Sequence, residues 1–176
     1  MKSLYLLRHA LAERGQGTDE DFDRPLAPEG REAAERIAEA MRDAGLIPAM
    51  VLCSGARRAR ETWDILEPHL APDGAAIPME ARDELYLATM SRLAAALREL
   101  PQNLDSVLVI GHNPGLQQLA RRLAGPESSQ GALQTLNRDF PSGGLAALTL
   151  AGDAWSEIAP GAGRLERFLR PGDLPA

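Results

Sequence analysis

The sequence is short of several things, and each shortage removes a class of protein. One cysteine, Cys53, stands among its 176 residues, so no disulfide can close within the chain and its thiol content does not call for an oxidising compartment. Long apolar runs are missing too: no stretch approaches membrane-spanning length, and a membrane partner is not expected. Positive charge is in deficit, with 19 Lys and Arg against 25 Asp and Glu, a formal net charge of -6 and a pI near 5.1. Nucleic-acid binding needs a broad basic face, so this balance argues against that partner. The phosphate loop Gly-x4-Gly-Lys-Ser/Thr is absent, which argues against nucleotide hydrolysis of that type. Nor is Cys53 followed by five residues and an arginine, as cysteine phosphatases require, because Ala59 holds that position. Cys53 therefore reads as a small buried hydrophobe.

What is present suits a single domain over residues 1–176. The 44% hydrophobic content can bury about two thirds of the unfolded surface. The chain opens on a core strand with no basic leader or cleavage site, and a cytoplasmic monomer is expected. That strand, Leu4-Tyr5-Leu6-Leu7, is a continuous apolar run, as in a sheet buried on both faces, and it delivers Arg8 and His9 at its carboxyl end. From Glu13 to Arg24 neither periodicity holds, which predicts a loop over the strand ends. Residues 28–44 repeat apolar positions at helical spacing (Ala34, Ile37, Ala38, Met41), with Gly45 where a C-cap belongs. Met50-Val51-Leu52-Cys53 predicts a second buried strand, and Ser54-Gly55 breaks it before a helix carrying Ala59, Trp63 and Leu66, expected to stop near Glu67 because of Pro68.

Further along, Ala76-Ile77-Pro78-Met79 predicts an edge strand, and Ser91 the N-cap of a helix with Leu93, Ala96, Leu97 and Leu100. Residues 106–110 form the strongest strand pattern, ending on Gly111-His112-Asn113-Pro114-Gly115 before a helix that buries Leu116, Leu119 and Leu123. Residues 126–131 predict a surface loop and 133–136 a short helix. Leu145–Leu150 and Trp155–Ala159 predict an antiparallel pair, with Phe168, Leu169 and Pro171 in a tail packed on the sheet. The expected fold is α/β: a three-layer αβα sandwich, mostly parallel in its central sheet, with an antiparallel edge strand and helices on both faces.

Parallel strands carry their carboxyl ends to one edge, so three distant sets can converge there: Arg8 with His9, Ser54 with Arg57 and Arg58, and His112. Guanidiniums offer rigid forks of donors that match an oxyanion. Imidazole, unlike arginine, sheds its charge near neutral pH and can attack. A metal site on His9 and His112 would set a cation against two arginines, so no metal and no other cofactor is expected. Arg57 and Arg60 fit a solvated helix face, and His69 a structural or solvated position.

These residues also carry a resemblance. Leu7-Arg8-His9-Ala10, Asp23-Arg24-Pro25-Leu26 followed by Gly30, Ser54 through Thr62, Gly111-His112-Asn113-Pro114 and Phe140-Pro141-Ser142-Gly143 resemble, in the same order, motifs of the histidine phosphatase superfamily, phosphoglycerate mutase-like in fold. The resemblance is strongest to its small phosphohistidine phosphatases of the SixA type. It implies that His9 is a nucleophile transiently phosphorylated on a ring nitrogen. Arg8, Arg58 and His112 would hold the nonbridging oxygens, Arg58 and not Arg57 because Ala59 and Thr62 follow at the family's spacing. Arg24 would lean over the phosphate, and Ser54 is a further candidate for substrate contact.

Larger relatives carry a mid-chain proton donor, for which Glu84 ranks ahead of Asp83, with neither as a third possibility. Two departures, Ala10 for glycine and Gly55 for proline, remove no charged group. An imidazole leaving group needs a strong acid less than an alkoxide does, so the weak acid signature favours a phosphoramidate. A chain this short spares few residues for a lid, which suits phosphohistidine on a protein partner and disfavours a mutase. A phosphatase of small phosphomonoesters and a non-catalytic phospholigand-binding module are the alternatives.

Overall fold

The computed structural model describes residues 1–17 and 20–176; the part of the expected Glu13–Arg24 loop formed by Thr18 and Asp19 lies outside the described residues. Strands β1 (Lys2–Arg8), β2 (Met50–Ser54), β3 (Met79–Arg82), β4 (Ser106–Gly111), β5 (Leu145–Leu150) and β6 (Gly163–Leu169) form one sheet in the order β3-β2-β4-β1-β5-β6. The first four of that order run parallel, while β5 pairs antiparallel with β1 and with β6. Helices α1 (Pro28–Asp43) and α2 (Arg57–Leu70) pack on one face, and α3 (Met90–Arg98), α4 (Gly115–Leu123) and α5 (Gln130–Arg138) on the other. The fold is the expected α/β sandwich.

Alternation along the strands builds both layers. Leu4 and Leu6 of β1 join Leu52, Val107 and Val109 against Leu97, Leu116 and Leu136. Tyr5 and Leu7 face the other way and join Val51, Cys53 and Ile110 against Ile37, Met41 and Trp63. Continuous apolar runs in the sequence thus divide evenly between two cores. Each fully buried large side chain contributes about 1.5–3 kcal/mol, more than any one cap or surface ion pair.

Several boundaries depart from the sequence reading. Helix α2 runs through Pro68 to Leu70. Pro68 lies on the exposed side, where the carbonyl it leaves without a partner can reach water, and buried Leu66 and Leu70 anchor the last turn. Thr89, not Ser91, caps α3, its Oγ1 accepting the Arg92 N–H at 3.2 Å. The edge strand is Met79–Arg82 rather than residues 76–79; Pro78 joins the ladder only through its carbonyl, which accepts the Val51 N–H at 2.9 Å. Helix α5 begins at Gln130, inside the expected loop, and Ser129 caps it through the Ala132 N–H.

The largest correction concerns the second antiparallel strand. Trp155–Glu157 is a 3-10 turn, and β5 pairs instead with Gly163–Leu169. Trp155 is fully buried and its indole N–H donates to the Leu104 carbonyl at 2.9 Å, so it plugs the core from a turn. Phe168 and Leu169 belong to that strand and not to a tail.

Candidate active site

Register brings the site together. Arg8 lies opposite Gly111 in the β1/β4 pairing, and Cys53 opposite Ile110 in the β2/β4 pairing, so the strand ends carrying His9, Ser54 and His112 are level. The chain leaves β1 toward α1 on one face and β4 toward α4 on the other. A crevice opens at such a divergence. Here it is a cavity of about 460 Å³ lined by Arg8, His9, Leu11, Ala12, Asp21, Arg24, Arg58, Leu87, His112, Asn113 and Ser142.

His9 is 7% exposed. Its Nδ1 lies 2.7 Å from the Ala10 carbonyl, which can only accept, so Nδ1 carries the proton and Nε2 keeps its lone pair. Arg58 Nε–H donates to that Nε2 at 3.2 Å. Burial first, then the nearby Arg58, Arg8 and Arg24 charges, push His9 down to about 4 against the opposing pull of the Ala10 carbonyl. The ring is neutral at physiological pH. Thr62 fixes the turn that follows: its Oγ1 accepts the Ala10 N–H at 3.1 Å and donates to the Arg58 carbonyl at 2.7 Å, tying the end of β1 to α2.

His112 stands beside it, ring centroids 5.1 Å apart. Burial, then His9 and the arginines, lower it to about 3 despite the opposite effect of Asp21. Since Arg58 Nη2 can only donate, its 3.4 Å approach to His112 Nδ1 makes that nitrogen the acceptor, and Nε2–H faces Ser54 Oγ at 2.7 Å. Ser54 is fully buried and does not line the cavity; it holds His112 instead of facing a ligand.

Arg58, 2% exposed, spans both imidazoles and also donates to the Asp21 carbonyl at 2.7 Å and to Asp21 Oδ2 at 3.1 Å. Arg8 donates through Nη1 to the Phe140 carbonyl at 3.0 Å, while its buried Nε has no partner among the described residues. A buried donor left unpaired costs about 1–3 kcal/mol. Arg24 reaches the rim, bonded to the Glu13 carbonyl at 2.8 Å and to Asp21 Oδ1 at 2.9 Å.

Glu84 takes another direction. It lies 3.8 Å from Arg82 and does not line the cavity, and Asp83 packs against Gly55. Among the described residues the carboxylate in the cavity is Asp21, which no sequence pattern singles out. It accepts from Arg58, Arg24 and the Tyr86 hydroxyl, and Tyr86 in turn stands edge-on to His112 at 5.3 Å. Gly115 makes this packing possible, because a Cβ there would run into the Ala88 carbonyl. Among the described residues no three His, Cys, Asp or Glu side chains are arranged to hold a metal ion. Cys53, buried and pushed up to about 12 by desolvation, stays a protonated thiol.

The sequence profile of the histidine phosphatase superfamily (branch 1) matches residues 4–86. An uncharacterized protein of Mycobacterium tuberculosis is 36% identical over 94% of this chain and 99% of its own. A candidate phosphohistidine phosphatase SixA of Nakamurella multipartitia is 32% identical, with a TM-score of 0.80 over 97% of this chain and 96% of its own. The chain belongs to the histidine phosphatase superfamily. It sits among that superfamily's SixA-type members, as a second candidate SixA, from Agrobacterium tumefaciens, shows at 30% identity and a TM-score of 0.80 over 97% of this chain and 98% of its own. A protein histidine phosphatase SixA complexed with tungstate shares the fold at 23% identity and a TM-score of 0.74 over 97% of this chain and 98% of its own. This histidine phosphatase is therefore a phosphatase hydrolase, which sets aside the non-catalytic binding module. No helix among its described residues is long and apolar enough to cross a membrane.

Proposed function

We propose that this phosphatase removes the phosphoryl group from phosphohistidine in a cytoplasmic protein partner, by way of a phosphohistidine intermediate on His9. One observation carries the reading: His9 presents an unprotonated Nε2, fixed by the Nδ1–Ala10 bond, to a cavity walled by Arg8, Arg24, Arg58 and His112. In the first step the Nε2 lone pair forms a bond to phosphorus as the phosphorus–nitrogen bond of the substrate breaks and its electron pair returns to the leaving imidazole. Water then attacks phosphorylated His9, releasing phosphate and restoring the ring.

Arg58 Nε–H, bonded to His9 Nε2 at 3.2 Å, passes to a phosphoryl oxygen and frees the lone pair as substrate settles. Fixed guanidiniums then stabilise charge spread over the equatorial oxygens, the term expected to supply most of the acceleration. Acid-labile ³²P trapping tests the reading: label is expected on the wild type and absent from His9→Ala. The same variant is expected to lose turnover of both a phosphohistidine protein and p-nitrophenyl phosphate, with chelator having no effect on the wild type. Label that survives in His9→Ala would overturn the assignment. The cavity's size, about 460 Å³, also suits a small phosphomonoester handled by the same steps.

A further inference from the structure

The phosphate and the leaving group must meet different parts of the cavity. Its floor is cationic and buried, whereas among the described residues its rim carries two exposed apolar side chains, Leu11 and Leu87 (49% and 56% exposed), and one carboxylate, Asp21. A carboxylate is an odd lining for a phosphate site, since it repels a dianion. As a proton donor it is unsuited as well: the Tyr86 hydroxyl foremost, then Arg58 and Arg24, lower it to about 2 against the desolvation that works the other way. Asp21 is an anion across the neutral range. Leu87 is held at a φ of 50°, a left-handed backbone that is costly for a leucine and that places it on this rim.

We propose that Asp21 receives the protonated second ring nitrogen of the substrate's phosphohistidine, with Leu11 and Leu87 giving apolar contact to the ring, so that this corner selects imidazolium leaving groups over alkoxides. The proposal rests on the phosphohistidine reading above and extends it to the leaving group.

The chemistry closes without a general acid. Phosphohistidine bears its phosphoryl on one ring nitrogen and, as the imidazolium, a proton on the other. When the His9 Nε2–phosphorus bond forms, the old bond's electrons return to the first nitrogen while the proton stays on the second, and a neutral imidazole departs. An opposite charge beside the imidazolium favours its protonated form. Once phosphate oxygens take over the Arg58 and Arg24 donors, the Tyr86 hydroxyl still holds Oδ2 of Asp21 and leaves Oδ1 for the ring N–H.

Among the described residues the groups facing Asp21 are Arg58 from α2, Arg24 from its own loop and Tyr86 from the segment after β3. Across the cavity lie His112, His9 and Arg8. Both imidazoles are neutral, so the arginines are the only cations that compete with the substrate for it among these groups. A phosphomonoester brings no cation to this corner, and its departing alkoxide would meet a negative charge.

The test compares phosphohistidine with p-nitrophenyl phosphate in wild type, Asp21→Asn and Asp21→Glu. A charge-assisted hydrogen bond is worth about 1.5–3 kcal/mol, so the ratio of the two kcat/KM values is expected to fall about tenfold or more in Asp21→Asn and to stay nearer the wild-type value in Asp21→Glu. The alkaline limb of kcat on phosphohistidine, which reports the bound state, is expected to move to lower pH in Asp21→Asn. Equal losses on both substrates with an unmoved limb would reduce Asp21 to a prop for Arg58 and overturn the proposal, leaving the phosphohistidine reading intact. A wild type that hydrolyses p-nitrophenyl phosphate but not phosphohistidine would instead overturn that reading, and this proposal with it.

Discussion

Ser54 shows how a side chain one step removed from the ligand can matter. Its hydroxyl fixes the His112 ring through Nε2, accepting from that nitrogen. That bond keeps the proton on Nε2 and leaves Nδ1 as the acceptor facing Arg58. Ser54→Ala is therefore expected to lower kcat by roughly tenfold with little change in KM, since His112 remains but is no longer aimed. Steady-state kinetics on p-nitrophenyl phosphate check it, and a change confined to KM would contradict it. Arg8, His9 and His112 are legible in the sequence because each stands at the end of a recognisable strand, and Arg58 because motif spacing separates it from Arg57. Asp21 is not: it sits in an aperiodic acidic stretch with Glu20 and Asp23, where no pattern singles out the one carboxylate that folds inward.

Among the elements, the helix starts do the positioning. Helix α2 begins at Arg57, so Arg58 projects from its first turn while Thr62, one turn later, ties back to Ala10. Helix α4 begins at Gly115, where the chain after β3 comes so close that only a glycine leaves room. Gly115→Ala is expected to push residues 85–88 outward, carrying Tyr86 from Asp21 and Leu87 from the rim. A stability loss of about 1–3 kcal/mol in urea unfolding should follow, together with a larger relative loss of turnover on phosphohistidine than on p-nitrophenyl phosphate. Wild-type stability in this variant would mean that the approach relaxes at little cost. Strands β1, β2 and β4 and helix α1 are legible in the sequence, because their apolar pattern mirrors burial. Trp155–Ala159 is not, because bulky residues there fill the core from a turn, and neither is β6, where Arg164-Leu165-Glu166 alternates too briefly and with too many charges to stand out.

At the scale of the molecule, the site leaves a mark on stability. Burial above all lowers His9 to about 4 and His112 to about 3 in the folded protein, against about 6.5 in an unfolded chain. Between those values the unfolded state binds protons that the folded state refuses, so stability rises with pH there. The contribution is complete above about pH 6.5 and is lost as pH falls toward the two folded values. Urea midpoints measured from pH 7 to 4 are expected to drop in the wild type and to drop less in His9→Gln/His112→Gln; equal slopes would exonerate the histidines.

The guanidinium of Arg58 lies almost wholly out of solvent between two neutral rings, with the half-exposed carboxylate of Asp21 as its one anionic partner among the described residues. Dehydrating a cation works against folding even where hydrogen bonds and one carboxylate answer it. A chain selected only to fold would fill that corner with leucine or methionine and become sturdier and inert. Marginal stability at this edge of the sheet is thus the counterpart of turnover, and screens for heat-resistant variants will tend to find dead ones here first.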